Sequence, residues 1–206
     1  MSDSERVGFQ HLVETTRGSQ PWRRVFHAVN GVLAGMGLWL LAPPRELLLG
    51  LLAGVVVLLL LVDVARLAFP SLNLLFFRFF RILASPREAG GIASSTWYVA
   101  GILVVVTLFP ISLAVPAVLV LALADPAASY LGRRFGRVRV GTGSLEGMAV
   151  FVLVAVAVLL PFVPPGPALM AALVAAGVEV IPWRLDDNLT IPVTAASTLW
   201  LLGAGI

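Results

Sequence analysis

From Leu47 to Val62 the chain runs through leucine, valine, alanine and glycine without one charged residue. About 20 residues of this character cross the hydrocarbon core of a bilayer as a helix, and the pattern recurs along the chain. Apolar segments at 25–42, 46–68, 94–110, 111–131, 145–163, 167–183 and 189–206 are separated by Pro43-Pro44, a long middle loop, Pro110, a polar glycine-rich passage, the prolines from Pro161 to Pro167, and the run Arg184 to Asn188. The residues are 59% hydrophobic and 12% charged, against about 25% charged in a soluble domain, and mean hydropathy is +0.99. The expectation is an all-α, polytopic integral membrane protein of about seven transmembrane helices, forming a single transmembrane domain over 1–206 with a polar segment at 1–24. The N-terminal residues lack an apolar core followed by a small-residue cleavage site, so the first span is expected to be its own insertion signal. With no cysteine, thiol nucleophiles, disulfides and cysteine zinc sites are excluded.

Every basic side chain that stays charged is an arginine. Threading the seven segments alternately puts the N-terminus and the 66–93, 132–144 and 184–188 loops on one side, with Arg45 alone on the other. By the positive-inside rule the arginine side is cytoplasmic and the C-terminus lies outside, in an inner or plasma membrane. The basic isoelectric point, about 10.5, therefore reports topology, and a nucleic acid polymer is not an expected partner. The carboxylates Asp63, Glu88, Asp125, Glu146, Glu179, Asp186 and Asp187 fall at the same ends. A charge at the bilayer centre costs about 2.5–3.5 kcal/mol, so these positions predict a wet pocket open to the cytosol. Arg78 and Arg81, among phenylalanines and leucines, predict an interfacial helix over 70–84 that anchors the chain or gates a lipid substrate. Asp63 and Arg66 read as a local ion pair.

Three constellations could carry chemistry. Asp125, Ser129, Gly132 and Gly136 recur at intervals that align them on one helix face, as a polar stripe or as a small-residue packing seam. The stripe continues into Arg133, Arg134, Arg137 and Arg139, then Gly141-Thr-Gly143 and Ser144, which stands where it would cap the next helix. Glycines let backbone N–H groups approach an anion, and arginines add charge-assisted contacts to phosphate. The loop lacks the lysine of a P-loop and misses the dinucleotide fingerprint by one residue. In the second constellation, Glu179 to Pro192, acids crowd a junction; Asp125, Glu179 and Asp187 are candidate partners of a Mg²⁺ bound with a nucleotide. The third is Arg23-Arg24-Val-Phe-His27 with Asn30-Gly31, where His27 is a candidate base or phosphate contact, or an interfacial histidine.

Taken together, Asp125-Pro-Ala-Ala-Ser-Tyr-Leu-Gly132-Arg-Arg-Phe-Gly136, then Ser144-Leu-Glu-Gly147, Glu179, and Asp187-Asn188-Leu-Thr-Ile-Pro192 resemble the polytopic CTP-dependent lipid kinases: dolichol kinase, phytol kinase and the yeast-type diacylglycerol kinase. Arg24 with His27 and Gly31, and Arg87-Glu88 with Thr96, Tyr98 and Gly101, are weaker similarities. The resemblance runs from His27 to Pro192. It implies a kinase that takes CTP as phosphoryl donor, Mg²⁺ or another divalent cation as cofactor and a membrane lipid alcohol as acceptor, with a nucleotide loop at 132–144. The expected roles are Asp125 and Asp187 near the metal, Glu146 and Glu179 as metal or base candidates, and His27 or Glu88 near the acceptor. Ser129, Gly132, Arg133, Gly136, Arg137, Arg139, Gly141, Gly143, Ser144, Gly147 and Asn188 are the expected nucleotide contacts. Gly143 stands where the family usually carries lysine, so the phosphate contact is expected from Arg137 or Arg139. The related phosphatidate cytidylyltransferases are less similar, because their C-terminal signature is missing. An ion or solute transporter predicts polar residues in the outer half of the spans, where few occur. An assembly subunit leaves the acid and arginine clustering unexplained. Acceptor identity and a homo-oligomer stay open at this level.

Overall fold

The computed structural model describes residues 3–16, 21–182 and 185–204. Its elements in chain order are α1 (Asp3–Thr15), α2 (Pro21–Leu41), α3 (Arg45–Ala68), α4 (Pro70–Phe80), a short 3-10 turn (Pro86–Ala89), α5 (Ser94–Leu108), α6 (Ile111–Phe135), β1 (Arg139–Val140), β2 (Gly143–Ser144), α7 (Leu145–Leu159), α8 (Pro165–Glu179) and α9 (Asp187–Leu201). Prolines set many of these starts. Pro44, Pro110 and Pro164 occupy N-caps, and Pro70 and Pro165 the first helical position, where a missing N–H breaks no helical bond. The helical expectation holds apart from the two-stranded antiparallel hairpin β1–β2.

Among the described residues, three helices are long and apolar enough to cross a membrane: α2, α3 and α6, of 21, 24 and 25 residues. At 1.5 Å per residue they reach about 32–38 Å. The helices α5, α7, α8 and α9 have 15 residues each, about 22 Å, shorter than the segments expected at 94–110, 145–163, 167–183 and 189–206. Part of the shortening comes from the polar end of the molecule. There α8 stops at Glu179, and the Val180 carbonyl is taken by the amide of Thr142 in the hairpin turn at 2.9 Å.

The long helices sit in different surroundings. In α6, 67% of the apolar window is buried, against 17% in α2 and 11% in α3, so α6 is the core helix. It packs on α2, α7 and α9, while α3 lies on α5 and α5 on α9. Leu51, Leu58, Leu61 and Val64 of α3 are exposed, the surface expected of a helix facing lipid tails. Small residues bring the inner helices close: Ala168, Ala171, Ala172, Ala175 and Ala176 of α8 and Ala195 and Ala196 of α9 have no exposed surface. Pro192 removes the helical donor from the Asn188 carbonyl, and that oxygen lies where a Cβ on Gly101 would be.

The segment expected as one helix over 70–84 ends at Phe80, with Arg81 at its C-cap. Arg78 and Arg81 are both exposed, while Asn73 and Phe77 turn inward. In the polar N-terminal segment α1 packs on α4. Arg45 donates through Nη2 to the carbonyls of Val106 and Thr107, at 3.2 and 2.8 Å. It thus satisfies acceptors left free at the C-terminal end of α5. Arg184 and Trp183, in the loop grouped with the other arginine-bearing segments, lie outside the described residues.

Candidate functional site

The start of α2, the 85–94 loop, the second half of α6, the hairpin, the end of α8 and the start of α9 meet in one polar cleft, and the end of α3 is bonded to that loop. Arg45 lies at the far end of α5 from it. The pairing of Asp63 with Arg66 lies behind the loop that lines the cleft, and it is more than a local ion pair. Arg66 Nη1 donates to Asn73 Oδ1 at 3.1 Å and to the Glu88 carbonyl at 2.6 Å, and Nη2 to the Gly91 carbonyl at 2.6 Å. Asp63 accepts from the Ala93 amide at 3.1 Å and from Thr96 Oγ1 at 2.6 Å. Two buried charges in low dielectric persist only when their remaining bonding capacity is met, and here the loop backbone meets it.

That loop delivers Glu88. Its Oε1 accepts from the Ser85 amide, Ser85 Oγ and Ser94 Oγ at 3.2, 3.1 and 3.1 Å and stands 3.5 Å from Arg23 Nη2, which also donates to Ser94 Oγ at 2.6 Å. Glu88 is therefore a buried anchor between α2 and the start of α5.

Two chambers open in the cleft. The larger, about 780 Å³, is lined by Asp125, Ser129, Gly132, Arg133, Arg139, Gly143, Ser144, Gly147, Glu179, Asp186 and Asp187. The smaller, about 490 Å³, is lined by Arg23, Arg24, His27, Glu88 and Asn188, and shares Arg87, Asp125, Ser129, Arg133, Asp186 and Asp187 with the first. The α6 stripe thus faces the cleft through Asp125, Ser129 and Gly132. Ser129 Oγ accepts from Arg24 Nε at 3.2 Å and from Arg133 Nη2 at 2.9 Å. His27 Nε2 is buried without a hydrogen bond to the described residues, 4.0 Å from Asp125 Oδ2, with its ring edge-on to Tyr98. Asn188 Nδ2 donates to the Ser94 carbonyl at 3.3 Å and to Asp186.

Other predicted residues lie in or beside the hairpin and outside both chambers: Gly136, Arg137, Gly141 and Glu146. Gly141 has φ +53, as tight hairpin turns require, and a Cβ there would collide with the Val180 carbonyl. Thr142 Oγ1 donates to the Glu179 carbonyl at 3.2 Å, so the turn is stitched to the end of α8. Glu146 Oε2 accepts from the Val138 amide at 3.4 Å. Ser144 caps α7, accepting from the Gly147 amide at 3.1 Å. Where Ser144, Gly132 and Gly147 meet, α6 and α7 touch closely: an added Cβ on Gly132 would stand 3.1 Å from Gly147 Cα. The packing reading of Gly132 and the cleft-lining reading are both true of it. Two-residue strands have no readable periodicity; the turn glycine between Val138-Arg-Val140 and Gly143 was the available signal. Ser94 carried no signal, since its role depends on Arg23, far away in sequence.

The larger chamber gathers carboxylates. Asp187 opens α9 beside Asp186, its N-cap, and both line the chamber with Asp125 and Glu179. Among the described residues no group of three His, Asp or Glu side chains is arranged to hold a metal ion. Asp125, Glu179 and Asp187 share a chamber without forming such a set. A Mg²⁺ that arrives on a nucleotide takes one or two carboxylates plus phosphate oxygens and water. Asp125 and Asp187 fit that donor set, since neither carboxylate is engaged in a hydrogen bond with the described residues.

The cleft defines a polar site built at one end of an apolar helical bundle, the form suited to a soluble reactant meeting a membrane-embedded one. The chain is 29% identical over 163 residues to CTP-dependent diacylglycerol kinase 1 of Schizosaccharomyces pombe, an alignment covering 68% of this chain and 74% of that protein. It is 29% identical over 207 residues to CTP-dependent diacylglycerol kinase 1 of Eremothecium gossypii, covering 84% of this chain and 64% of that one. These relatives bear out the resemblance to CTP-dependent lipid kinases. No protein-family model matches the chain, and no solved structure matches it.

Proposed function

We propose that the chain is a CTP-dependent lipid kinase, with the nucleotide in the larger chamber and the hydroxyl of a membrane lipid alcohol in the smaller one. The observation that carries this reading is the wall of Asp125, Ser129 and Arg133 that the two chambers share, across which a phosphoryl group has only a short way to move. In the reaction, the acceptor oxygen bonds to the γ-phosphorus as the bond to the bridging β-phosphate oxygen breaks; CDP leaves, and the hydroxyl proton passes to a base. Such transfer rests on positioning and charge neutralisation. His27, unpaired beside Asp125, suits the base better than Glu88, whose Oε1 is already occupied. Arg139 lines the larger chamber and Arg137 does not, so Arg139 takes the part of the lysine usual at Gly143. A divalent cation such as Mg²⁺, bound with the nucleotide, would neutralise triphosphate charge; we assign Asp125 and Asp187 to it.

The names of the relatives make diacylglycerol the first acceptor to consider, ahead of polyprenol-like and phytol-like alcohols. We further propose that α2, α3 and α5 to α9 all cross the membrane, with the cleft on the cytoplasmic face. Support for this comes from the gathering of arginines at the cleft and the position of Arg45 at the other end.

The test is to incubate purified protein with CTP labelled at the α or the γ position, against diacylglycerol, polyprenol-like and phytol-like alcohols and phosphatidate. Label from the γ position in a lipid monophosphate is the expected result; α label in a CDP-lipid would make the protein a cytidylyltransferase instead. Asp125→Asn is expected to lower γ transfer by at least about a hundredfold.

A further inference from the structure

We infer that the smaller chamber is a binding site for a phosphomonoester headgroup, with Arg24 as its central donor, and that its ligand is the phosphorylated lipid; this last identification rests on the kinase reading. The observation is the state of Arg24. Its Nε donates to Ser129 Oγ, while Nη1 and Nη2 are both buried with no hydrogen-bond partner among the described residues. A guanidinium presents its donors in a rigid fork that matches phosphate oxygens. Buried donors left unpaired are unfavourable, so this fork is the part of the chamber that a ligand must complete.

The neighbouring groups select the charge of that ligand. Of the arginines, Arg23, which donates to Ser94, and Arg24 line this chamber alone, while Arg87 and Arg133 lie on the wall shared with the larger one. Of the acids, Glu88 stands beside Arg23, and Asp125, Asp186 and Asp187 lie on the wall shared with the larger chamber. An uncharged lipid alcohol leaves the fork unpaired, whereas a dianionic phosphomonoester fills it. The chamber therefore favours the phosphorylated lipid over its alcohol, and that lipid competes with the acceptor rather than with CTP.

The test is equilibrium binding to the purified full-length chain in detergent, using dihexanoylglycerol phosphate, dihexanoylglycerol and inorganic phosphate as probes, with CTP binding measured in parallel. The lipid phosphate is expected to bind about tenfold or more tighter than either other probe. Arg24→Gln is expected to abolish that preference and Arg24→Lys to keep part of it, with CTP affinity unchanged in both; the lysine variant keeps the charge and guards against loss of folding. Inorganic phosphate binding as tightly as the lipid phosphate would overturn the headgroup assignment. Unchanged lipid phosphate binding in Arg24→Gln, or an equal loss of CTP binding, would overturn the site itself. Should γ label reach no lipid alcohol while lipid phosphate still binds through Arg24, the kinase reading falls and the anion site stands.

Discussion

Arg66 Nε donates to Asp63 Oδ1 at 2.7 Å, one turn apart near the end of α3, and this pair holds the loop that carries Glu88 and leads to Ser94. The guanidinium also lies 4.5 Å from the centre of the Phe76 ring, so α3, α4 and the loop converge on one side chain.

Because Arg66 serves its partners through a planar fork, lysine cannot replace it. Arg66→Met leaves Asp63 buried and unpaired, at a cost of about 3–5 kcal/mol. A large fall in melting temperature in detergent is expected, with Arg66→Lys intermediate; an unchanged melting temperature would show that the loop is held by other means.

Arg139 and Arg137 lie close in sequence but differ in what they face. Arg139→Gln is expected to raise the KM for CTP by about tenfold, the loss of a charge-assisted phosphate contact. Arg137→Gln, outside both chambers, is expected to change it less than twofold. Equal effects would remove the assignment of Arg139 as the lysine substitute.

At Gly31, α2 packs closely against α6 and the Tyr98 side chain of α5. A Cβ there would collide with Tyr98 Oη and Ala122 Cβ, so Gly31→Ala is expected to destabilise by about 1–3 kcal/mol through overpacking. Gly37→Ala on the same helix, where a Cβ meets nothing, serves as the control in the same thermal melt.

Asp187 is assigned to the cation that arrives with the nucleotide. Asp187→Asn is expected to reduce divalent-dependent CTP affinity by about tenfold, the loss of one charged oxygen ligand, with CTP binding in the absence of divalent cation changed less. Equal divalent-dependent affinity in Asp187→Asn would remove Asp187 from the cation.

The helical architecture was readable because long uncharged runs and prolines act locally. The run from Leu47 to Val62 needs no partner to declare a helix, and Pro44, Pro110 and Pro165 end or start helices through their own chemistry. The α6 stripe was readable for the same reason, since intervals of three and four share a face of any helix. The division of labour within the glycine-rich passage was not readable. Gly136, Gly141 and Glu146 have the composition of a phosphate loop, and only the fold shows that Gly136 caps α6 against Ser144, that Gly141 turns the hairpin against the Val180 carbonyl and that Glu146 accepts from the Val138 amide.

By itself, the sequence determined an apolar helical chain whose arginines and acids gather at the same ends, and a motif run similar to lipid kinases. Tertiary structure alone decided that Arg66 organises the middle loop, that Glu88 is an anchor, that Arg139 rather than Arg137 faces the chamber, and that Arg24 carries an unfilled fork. The reason is physical: hydropathy and helix geometry are properties of neighbouring residues, whereas the state of a buried charge depends on which distant groups reach it.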